Sequence, residues 1–398
     1  MKNAKKTVRD INVEGKRVLV RVDFNVPLDI NTGTISDDSR IRASVPTIKY
    51  LIEHKASVIL CTHLGRPQGK IVENLRVTQI AKRLSHLIGL PVNISLDCVG
   101  QEVENEVKTL KESNILFLEN LRFHPEEEAN NSHFAQGLAR LADVYVNDAF
   151  GTAHRTHAST VSIAKYLPAV AGFLMEAELD AMNKLLSSPA HPFACLIGGA
   201  KVSDKMGLIQ NMLKRIDSLL IGGGMAATFL RTQGYETGRS LVEKDKLNLA
   251  KELLEEAKEW NIPLLLPIDI VVANEIKASA SIKVVSLVNM AASDYLVDIG
   301  PATIELFSSE LGKCHTIMWN GPMGIYEIPQ FAQGTRSLAR MLSTSNAATI
   351  IGGGSSAEIV HEMGLTDKMT HVSTGGGASL RCLEGLPLPG VEALLSKI

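Results

Sequence analysis

Apolar residues along the chain form two kinds of segment, short runs rich in β-branched residues and longer stretches of helical period. A short apolar run bounded by turn residues predicts a buried strand, whereas apolar recurrence every three to four residues predicts a helix. The first half predicts strands at 17–22, 57–61, 91–95, 115–118 and 144–146, separated by amphipathic segments at 40–54, 75–88, 101–112 and 132–141. The second half predicts strands at 193–197, 218–221, 264–266, 284–287, 316–319, 349–351 and 371–373.

Strands that are apolar along their whole length and alternate with helices are typical of parallel sheets covered on both faces. We therefore predict the α/β class, with two doubly wound parallel-sheet, Rossmann-like domains joined by a helical hinge and a cleft between them. The hinge is expected at 169–186, where the sequence AVAGFLMEAELDAMNKLL follows Pro168. One large sheet is the alternative, but about a dozen strands exceed what open sheets usually carry.

Composition narrows the functional classes. The formal net charge is −2, so no global basic field favours nucleic acid or a membrane surface. The five cysteines lie far apart, and four of them adjoin apolar stretches, which indicates buried, reduced thiols. Residues 1–10 lack the apolar core of a secretory signal, and the longest apolar stretch, 262–273, is too short to span a bilayer. We expect a soluble cytoplasmic protein.

Glycine runs follow several predicted strands of the second half, at 198–199, 222–224, 352–354 and 375–377. Ligands of open α/β sheets bind at the carboxyl ends of the strands. Glycine allows close approach of a backbone, and a helix that begins there offers free N–H groups to phosphate. Tight turns alone also need glycine, but four runs at equivalent places favour a nucleotide or phosphate site. Neither GxxxxGK[ST] nor GxGxxG occurs, so P-loop and dinucleotide-binding folds are disfavoured.

Cationic and polar side chains follow the strands of the first half instead. A single arginine or histidine is more often a partner in a surface salt bridge than a ligand-binding residue. Their shared placement at strand ends favours a basket for a small ligand with phosphate and carboxylate groups, because guanidinium groups bind both bidentately. The residues in question are Asp23, Asn25, Arg40, His63, Arg66, Arg122, His154 and Arg155.

Longer motifs make the chain resemble the phosphoglycerate kinase family over essentially its whole length. Their joint occurrence in order leaves little room for chance. They are RVDFNVP at 21–27, SRIRASVPTI at 39–48, HLGRP at 63–67, LENLRFHPEE at 118–127, VNDAFGTAHR at 146–155, GGAKVSDK at 198–205, IGGGMA at 221–226, WNGPMGIYE at 319–327 and STGGGASL at 373–380.

The resemblance implies phosphoryl transfer between an acyl phosphate and ADP, with Mg²⁺, by two domains that each bind one substrate and then close. The residues that follow the first-half strands would hold 3-phosphoglycerate or 1,3-bisphosphoglycerate. The domains would comprise 1–168 with a returning tail at 386–398, an interdomain helix at 169–186, and 187–385. Members of the family are mostly monomeric, so the resemblance implies a monomer. The implied ATP/ADP site comprises Gly199, Lys201, Lys205, Gly224, Val297, Asn320, Ile325, Glu327, Gly353, Gly354, Ser355 and Ser356.

The implied reaction needs no general base, because a carboxylate or a phosphate oxygen is already an anion. It needs in-line positioning and neutralisation of charge on the moving phosphoryl group. We assign that role to Arg40, Lys205 and the backbone at Gly376, whereas Lys201 would screen the nucleotide phosphates and Glu327 would bind the ribose. The alternative for the two lysines is a shared solvated helix face.

The chain departs from the family pattern at Ser355, where an aspartate that helps to hold the metal–nucleotide is usual. Serine caps helices well but supplies no charge for Mg²⁺. Three alternatives stay open: phosphate oxygens and water hold the metal, a carboxylate such as Asp204 compensates, or magnesium nucleotide binds poorly. Arg381 also stands where an acidic residue is expected.

Two other functional classes remain to be tested. A catalytically impaired homologue kept as a binding or scaffold protein is favoured only by Ser355. A kinase for another small carboxylate shares the acyl-phosphate chemistry, but a basket that includes Arg122, Arg155 and His63 indicates a phosphorylated substrate.

Overall fold

The computed structural model describes residues 4–29 and 32–397. The strands are β1 Arg17–Val22, β2 Ser57–Cys61, β3 Val92–Ile94, β4 Ile115–Phe117, β5 Val144–Asp148, β6 Ala169–Ala171, β7 Phe193–Ile197, β8 Ser218–Ile221, β9 Leu264–Leu265, β10 Asp269–Ala273, β11 Ile282–Ser286, β12 Tyr295–Ile299, β13 Thr316–Asn320, β14 Ala348–Gly352 and β15 His371–Val372. The α-helices are α1 Ser39–Glu53, α2 Thr78–Ile88, α3 Gln101–Thr109, α4 Pro125–Glu128, α5 Ser132–Ala139, α6 Phe173–Ser187, α7 Met206–Leu213, α8 Ala226–Thr232, α9 Leu247–Glu259, α10 Pro301–Leu311, α11 Gln333–Ser343, α12 Gly354–Glu362, α13 Gly376–Leu383 and α14 Pro389–Glu392.

The chain forms two compact units. Unit 1 comprises Met1–Asp180 with Pro387–Ile398, and unit 2 comprises Ala181–Leu386. The C-terminal segment joins unit 1 through backbone hydrogen bonds from Leu395 to Ala169 and from Lys6 to Leu395. These bonds tie the C-terminal segment to the sheet edge and to the N-terminal segment of unit 1.

Unit 1 contains a six-stranded parallel sheet in the order β3-β4-β2-β1-β5-β6. Its central strand β1 pairs with β2 and β5, with Val20 opposite both Leu60 and Val146. All three side chains are fully buried, as expected for a sheet covered on both faces. Helix α1 buries Ile41, Ile48 and Leu51 at helical spacing, and each such burial contributes about 1.5–3 kcal/mol.

Unit 2 contains a second six-stranded parallel sheet, in the order β15-β14-β13-β7-β8-β9. The predicted α/β class with two parallel sheets is therefore confirmed. Unit 2 also contains a three-stranded antiparallel sheet in the order β11-β10-β12. The expectation that the strand near 284–287 belongs to a parallel sheet was wrong, because β11 pairs antiparallel with β10.

The sequence suggested that the segment 169–186 is helical throughout, but the structure shows that it is not. Ala169–Ala171 forms strand β6, which pairs with β5 at the edge of the sheet. Helix α6 begins at Phe173, after Gly172, where a Cβ atom would lie 2.1 Å from Asp148 Oδ1. Asp148 Oδ1 accepts hydrogen bonds from the N–H groups of Leu174 and Met175, so a carboxylate from β5 caps the helix.

All five cysteines are free and buried, as predicted. Within the described ranges, no helix is long and apolar enough to cross a membrane.

Candidate functional site

Polar and cationic side chains of unit 1 gather at the carboxyl ends of its strands. Asp23 and Asn25 follow β1, His63 follows β2, Arg122 follows β4, and Arg155 lies beyond β5. Because β1, β2, β4 and β5 are neighbours in one parallel sheet, these ends lie along the same edge. We call Asp23, Arg40, His63, Arg122 and Arg155 the cationic cluster.

Arg40, on the first turn of α1, contacts the carboxylate that follows β1. Its Nη1 donates a hydrogen bond to Asp23 Oδ2 at 2.5 Å. Asp23 is 7% exposed, and its Oδ1 has no hydrogen-bond partner among the described residues. A Cβ atom at Gly151 would lie 2.3 Å from Asp23 Oδ2, so this glycine makes room for the carboxylate. The pair holds the Arg40 guanidinium at the strand edge.

His63 is neutral in this cluster. Arg21 Nη2 lies 3.2 Å from His63 Nδ1, and because a guanidinium can only donate, Nδ1 accepts and the ring proton is on Nε2. Burial lowers the pKa of His63 well below its usual value, and Arg21, Arg122, Arg155 and Arg40 lower it further. The imidazole therefore acts as a hydrogen-bond donor and adds no charge.

Arg21 is fully buried, and the sequence interpretation missed it. Its Nε donates to Ser159 Oγ at 2.9 Å, and Ser159 Oγ donates to Glu127 Oε1 at 2.6 Å. Glu127 is also fully buried, so one serine joins a buried cation to a buried anion. The available signal was an arginine inside an apolar strand, since a buried charge requires a partner.

Arg122 has a guanidinium that the protein satisfies only in part. Its side chain is 4% exposed, Nη1 donates to the carbonyl of Gly65 at 2.9 Å, and Nε lies 3.2 Å from Glu128 Oε1. Nη2 is buried without a hydrogen-bond partner among the described residues. Burial also lowers the pKa of Arg122. A buried N–H donor left unmet costs free energy that an anionic ligand would recover.

The other predicted residues of unit 1 are more loosely involved. Asn25 Oδ1 accepts from the N–H of Gly65 at 2.8 Å, which fixes the loop that also receives Arg122. His154 and Arg155 are half-buried, and Arg66 is exposed. Arg155 acts electrostatically on both His63 and Arg122, so it belongs to the cluster.

In unit 2, glycines let three loops pack backbone against backbone. A Cβ atom at Gly198 would lie 2.1 Å from Pro322 O, and one at Gly321 would lie 2.2 Å from Gly198 O. Gly223, at φ +69°, has its Cβ position 2.7 Å from Gly199 N. Turn packing alone therefore explains these glycines.

Gly354 and Gly376 differ from those structural glycines. They are the first residues of α12 and α13, and a Cβ atom at Gly376 would lie 3.0 Å from the N atom of Gly354. A Cβ atom at Gly354 would meet nothing within 4 Å, and this residue is exposed. Two helix N-termini thus adjoin, and their unpaired N–H groups and dipoles suit a phosphate.

Lys205 and Asn320 lie beside these loops. Lys205 Nζ donates to Asn320 Oδ1, and burial lowers the pKa of Lys205. Asn320 is fully buried, and its Nδ2 has no partner among the described residues. Helix α7 begins at Met206, with Lys205 as its N-cap residue. The alternative that Lys201 and Lys205 share a solvated helix face is therefore wrong, since the exposed Lys201 lies outside the helix.

The two serines of α12 serve different contacts. Ser356 is fully buried, and its Oγ accepts from the N–H of Gly321 at 2.7 Å, which ties α12 to the loop after β13. Ser355 is half-buried and hydrogen-bonds Tyr326, whose hydroxyl also donates to Glu358 Oε2 at 2.9 Å. A carboxylate therefore lies one turn beyond Ser355 on the same helix, where sequence reasoning did not look for it.

The remaining predicted nucleotide residues form an apolar wall and its edge. Ile325 donates its backbone N–H to Val297 O at 2.9 Å, and both pack in a cluster with Phe331. Glu327 and Asp204 are exposed. A Cβ atom added at Gly224 would lie 3.4 Å from Ala200. Gly353 has φ +88° and lies against Asn320. Nothing in the structure explains Arg381.

Comparison with known proteins bears on the whole chain. The family model described as phosphoglycerate kinase matches residues 8–386. A phosphoglycerate kinase from Dictyoglomus turgidum is 56% identical over 99% of this chain and 100% of its own length, and one from Pelotomaculum thermopropionicum is 53% identical over 99% and 100%. Among solved structures, phosphoglycerate kinase from Coxiella burnetii is 38% identical with a TM-score of 0.86, covering 98% of each chain.

Proposed function

The chain belongs to the phosphoglycerate kinase family, and from this premise we propose which of its residues carry out the family reaction. It is a phosphotransferase with a carboxyl group as acceptor. It transfers a phosphoryl group reversibly between 1,3-bisphosphoglycerate and ADP, giving 3-phosphoglycerate and ATP, in glycolysis and gluconeogenesis. The assignments of individual residues that follow are our proposal.

The cationic cluster of unit 1 binds the phosphoglycerate. The observation that carries this assignment is the buried Arg122 guanidinium, whose Nη2 has no partner among the described residues. An oxygen of a phosphate or carboxylate would satisfy it, and His63 would donate from Nε2. Asn25, Arg66, His154 and Arg155 complete the set, with Asp23 orienting Arg40.

The adjoining N-termini of α12 and α13 bind the nucleotide phosphates in unit 2. The backbone N–H groups of Gly353, Gly354 and Gly376 would face the negatively charged phosphate oxygens, and Lys205 would add one positive charge. The apolar wall at Val297 and Ile325 suits a base. The other residues assigned to the nucleotide are Gly199, Lys201, Gly224, Asn320, Glu327, Ser355 and Ser356.

Catalysis requires neutralisation of charge and no proton acceptor. The attacking oxygen is already anionic, and His63 could not act as a base through Nδ1, which accepts from Arg21. Arg40 and Lys205 would stabilise the transferring phosphoryl group, together with the N–H groups around Gly376. Asp23 positions Arg40.

Magnesium would accompany the nucleotide, as is usual for the family. Its preferred ligands are oxygens, and it keeps several waters while binding one or two carboxylates plus phosphates. Ser355 offers a hydroxyl, and Glu358 offers a carboxylate that Tyr326 holds one turn further along α12. These donors fit the ion's chemistry. When bound, the ion would neutralise phosphate charge, and we propose Glu358 rather than Asp204 as its carboxylate ligand, because Tyr326 hydrogen-bonds both Ser355 and Glu358.

We further propose a cytoplasmic monomer whose domains comprise 1–168 with 386–398 and 187–385, joined by a segment at 169–186 that contains strand β6 and most of helix α6. The compact units of the fold support a division near these limits. The net charge of −2 supports small-molecule substrates over nucleic acid or membrane partners.

The test is release of ADP from ATP and 3-phosphoglycerate, with product removed by coupling and Mg²⁺ titrated over a wide range. We expect turnover that saturates with Mg²⁺ and no turnover when acetate replaces 3-phosphoglycerate. Absence of turnover in folded protein that still binds 3-phosphoglycerate would contradict the proposal. It would favour the impaired homologue, and Ser355→Asp would be the next variant.

A further inference from the structure

Three potential metal ligands of different chemistry converge in unit 1 outside the residues assigned to the reaction. Asp97 and Cys98 lie in the loop between β3 and α3, and His124 immediately precedes α4. One carboxylate oxygen, one thiol sulphur and one imidazole nitrogen from these residues all lie within 4.8 Å of one another. Among the described residues this is the one group with that property.

The spacing of these atoms is close to that of a tetrahedral metal site. Bonds of about 2.0–2.3 Å to zinc separate the ligand atoms by roughly 3.3–3.8 Å. Here His124 Nε2 lies 2.7 Å from Asp97 Oδ1, and the sulphur completes a triangle with sides of at most 4.8 Å. Rotation of the Asp97 and His124 side chains, which are 51% and 29% exposed, would open that short side.

The backbone holds all three residues in place. The N–H of Cys98 donates to Asp97 Oδ1 at 2.6 Å, and the N–H of Glu119 donates to Asp97 O at 3.3 Å. The N–H of His124 donates to Leu121 O, and its ring packs against Phe134 with centroids 5.2 Å apart. A site whose main chain is fixed loses less entropy when it binds an ion.

Neighbouring charges favour a dication at this point, and two of the three ligands give it access to solvent. Cys98 is fully buried, whereas Asp97 and His124 reach solvent, so an ion would enter from the solvent side and keep a water there. Glu126 acts electrostatically on His124, and Glu127 acts on Cys98. The surroundings are therefore negative, and mixed N, O and S ligands select zinc or cobalt over magnesium.

We propose that Asp97, Cys98 and His124 form a binding site for Zn²⁺ or a similar borderline-soft dication, separate from the nucleotide magnesium. Binding replaces the Cys98 S–H bond with a metal–sulphur bond and releases that proton to solvent. The alternative is an ordinary Asp–His ion pair that covers a buried thiol.

The test is a titration of the whole protein with Co²⁺, followed by absorption in a phosphine-reduced buffer. A thiolate bound to Co²⁺ gives charge-transfer absorption in the near ultraviolet, which neither an Asp–His pair nor a surface histidine produces. We expect one such ion per chain, displaced by Zn²⁺. Cys98→Ser should abolish the band, and His124→Gln or Asp97→Asn should weaken Co²⁺ binding about tenfold or more.

Two matched variants act as controls. Cys195→Ser removes another fully buried thiol, and His191→Gln removes an Asp–His pair, with Asp217 at 2.6 Å, that lies outside the group of three. Both should keep the band. Absence of the band in the wild type, or its persistence in Cys98→Ser, would overturn the proposal. If Cys98→Ser does not fold, unchanged binding in both His124→Gln and Asp97→Asn overturns it equally.

Discussion

Unit 1 and unit 2 present positive potential to anions by different physical means. Unit 1 does so with side chains, in a cluster containing Arg40, Arg122 and Arg155, and buries Arg21 and Glu127 behind it. Unit 2 does so mainly with backbone, at the N-termini of α12 and α13, with Lys205 as the cation beside them. Side-chain cations give strong, directional binding but must be desolvated and held. Helix termini need no side chain to be held in place but tolerate no side chain between backbone and ligand.

The two units also bury carboxylates differently. Glu127 in unit 1 shares a serine with a buried arginine. Asp298 in unit 2 accepts hydrogen bonds from the backbone N–H groups of Ile299, Gln333 and Gly334, and burial raises its pKa to about 7. A buried carboxyl with no cation beside it is driven toward its neutral form. The two units therefore differ both in their proposed ligand sites and in how they stabilise buried carboxyl groups.

The largest expected effect is on turnover, in unit 1. Arg40→Ala should lower kcat by about 100-fold or more, since each factor of ten is about 1.4 kcal/mol of barrier. ADP affinity should stay unchanged, because the proposed nucleotide site lies in unit 2. Steady-state kinetics and ADP titration check this, with Arg42→Ala, a solvent-exposed neighbour paired with Asp38, as control. Normal turnover in folded Arg40→Ala protein would remove Arg40 from the mechanism.

A stability effect is expected next, in unit 2. The pKa of Asp298 is raised to about 7 from an unfolded value of 3.8, so the unfolded state loses its proton first as pH rises. Stability from this group is full below about pH 4 and is lost as pH rises toward 7, by at most about 1.4 kcal/mol per pH unit. Both tryptophans, Trp260 and Trp319, lie in unit 2, so their fluorescence during denaturation reports it.

Asp298→Asn should flatten that dependence between pH 4 and 7. An equally steep loss of stability in the variant would show that other groups cause it. Asp148 in unit 1, with its pKa raised to about 6, titrates in an overlapping window but is distant from both tryptophan reporters in sequence and belongs to the other unit.

A single methyl group should distinguish the proposed phosphate site at the N-terminus of α12 from the cationic cluster of unit 1. Gly354→Ala adds a Cβ atom that meets nothing within 4 Å, so the fold should be unharmed. The methyl would occupy the space that a phosphate needs, and ADP affinity should fall about tenfold, or about 1.4 kcal/mol. Calorimetric titration of ADP checks this, and 3-phosphoglycerate affinity is the internal control. Unchanged ADP binding would mean that the N-terminus of α12 does not face phosphate.

The smallest expected effect concerns magnesium. Glu358→Gln should reduce the gain in ADP affinity that Mg²⁺ provides about threefold, because it removes one carboxylate near the ion. ADP affinity without metal should not fall. The control is Glu362→Gln on the same helix, and Tyr326→Phe should show part of the effect through loss of its hydrogen bond. Ser355→Asp should restore the Mg²⁺ response in Glu358→Gln, whereas an effect of Asp204→Asn alone would assign the role to Asp204.

The sequence predicted the strands of the two parallel sheets better than anything else. β1, β2, β7 and β8 begin and end where predicted, because all their residues are buried except Arg17 at the start of β1. The three-residue β6 was missed since alanine-rich sequence favours helix and only pairing with β5 makes it a strand. The antiparallel sheet was missed because the apolar run at 284–287 predicts a buried parallel strand, whereas β11 is mostly exposed and pairs antiparallel with β10.

The sequence predicted the site residues that follow strands or lie in glycine runs. It did not predict roles that depend on contacts between residues far apart in the sequence. Arg21 acts through Ser159, which is 138 residues away, and Glu358 meets Tyr326 across 32 residues. Only the structure separates glycines that packing requires from glycines that border open space. Gly198 is required by the close approach of Pro322 O, whereas Gly354 faces open space.

We propose that unit 1 binds phosphoglycerate through side-chain cations and that unit 2 binds nucleotide through backbone N–H groups. Calorimetric titration of 3-phosphoglycerate and of ADP into Arg155→Ala and Gly354→Ala separates these two roles. We expect Arg155→Ala to lose affinity for 3-phosphoglycerate alone and Gly354→Ala to lose affinity for ADP alone. Loss of both ligands in either folded variant, or the reverse pairing, would contradict the proposal.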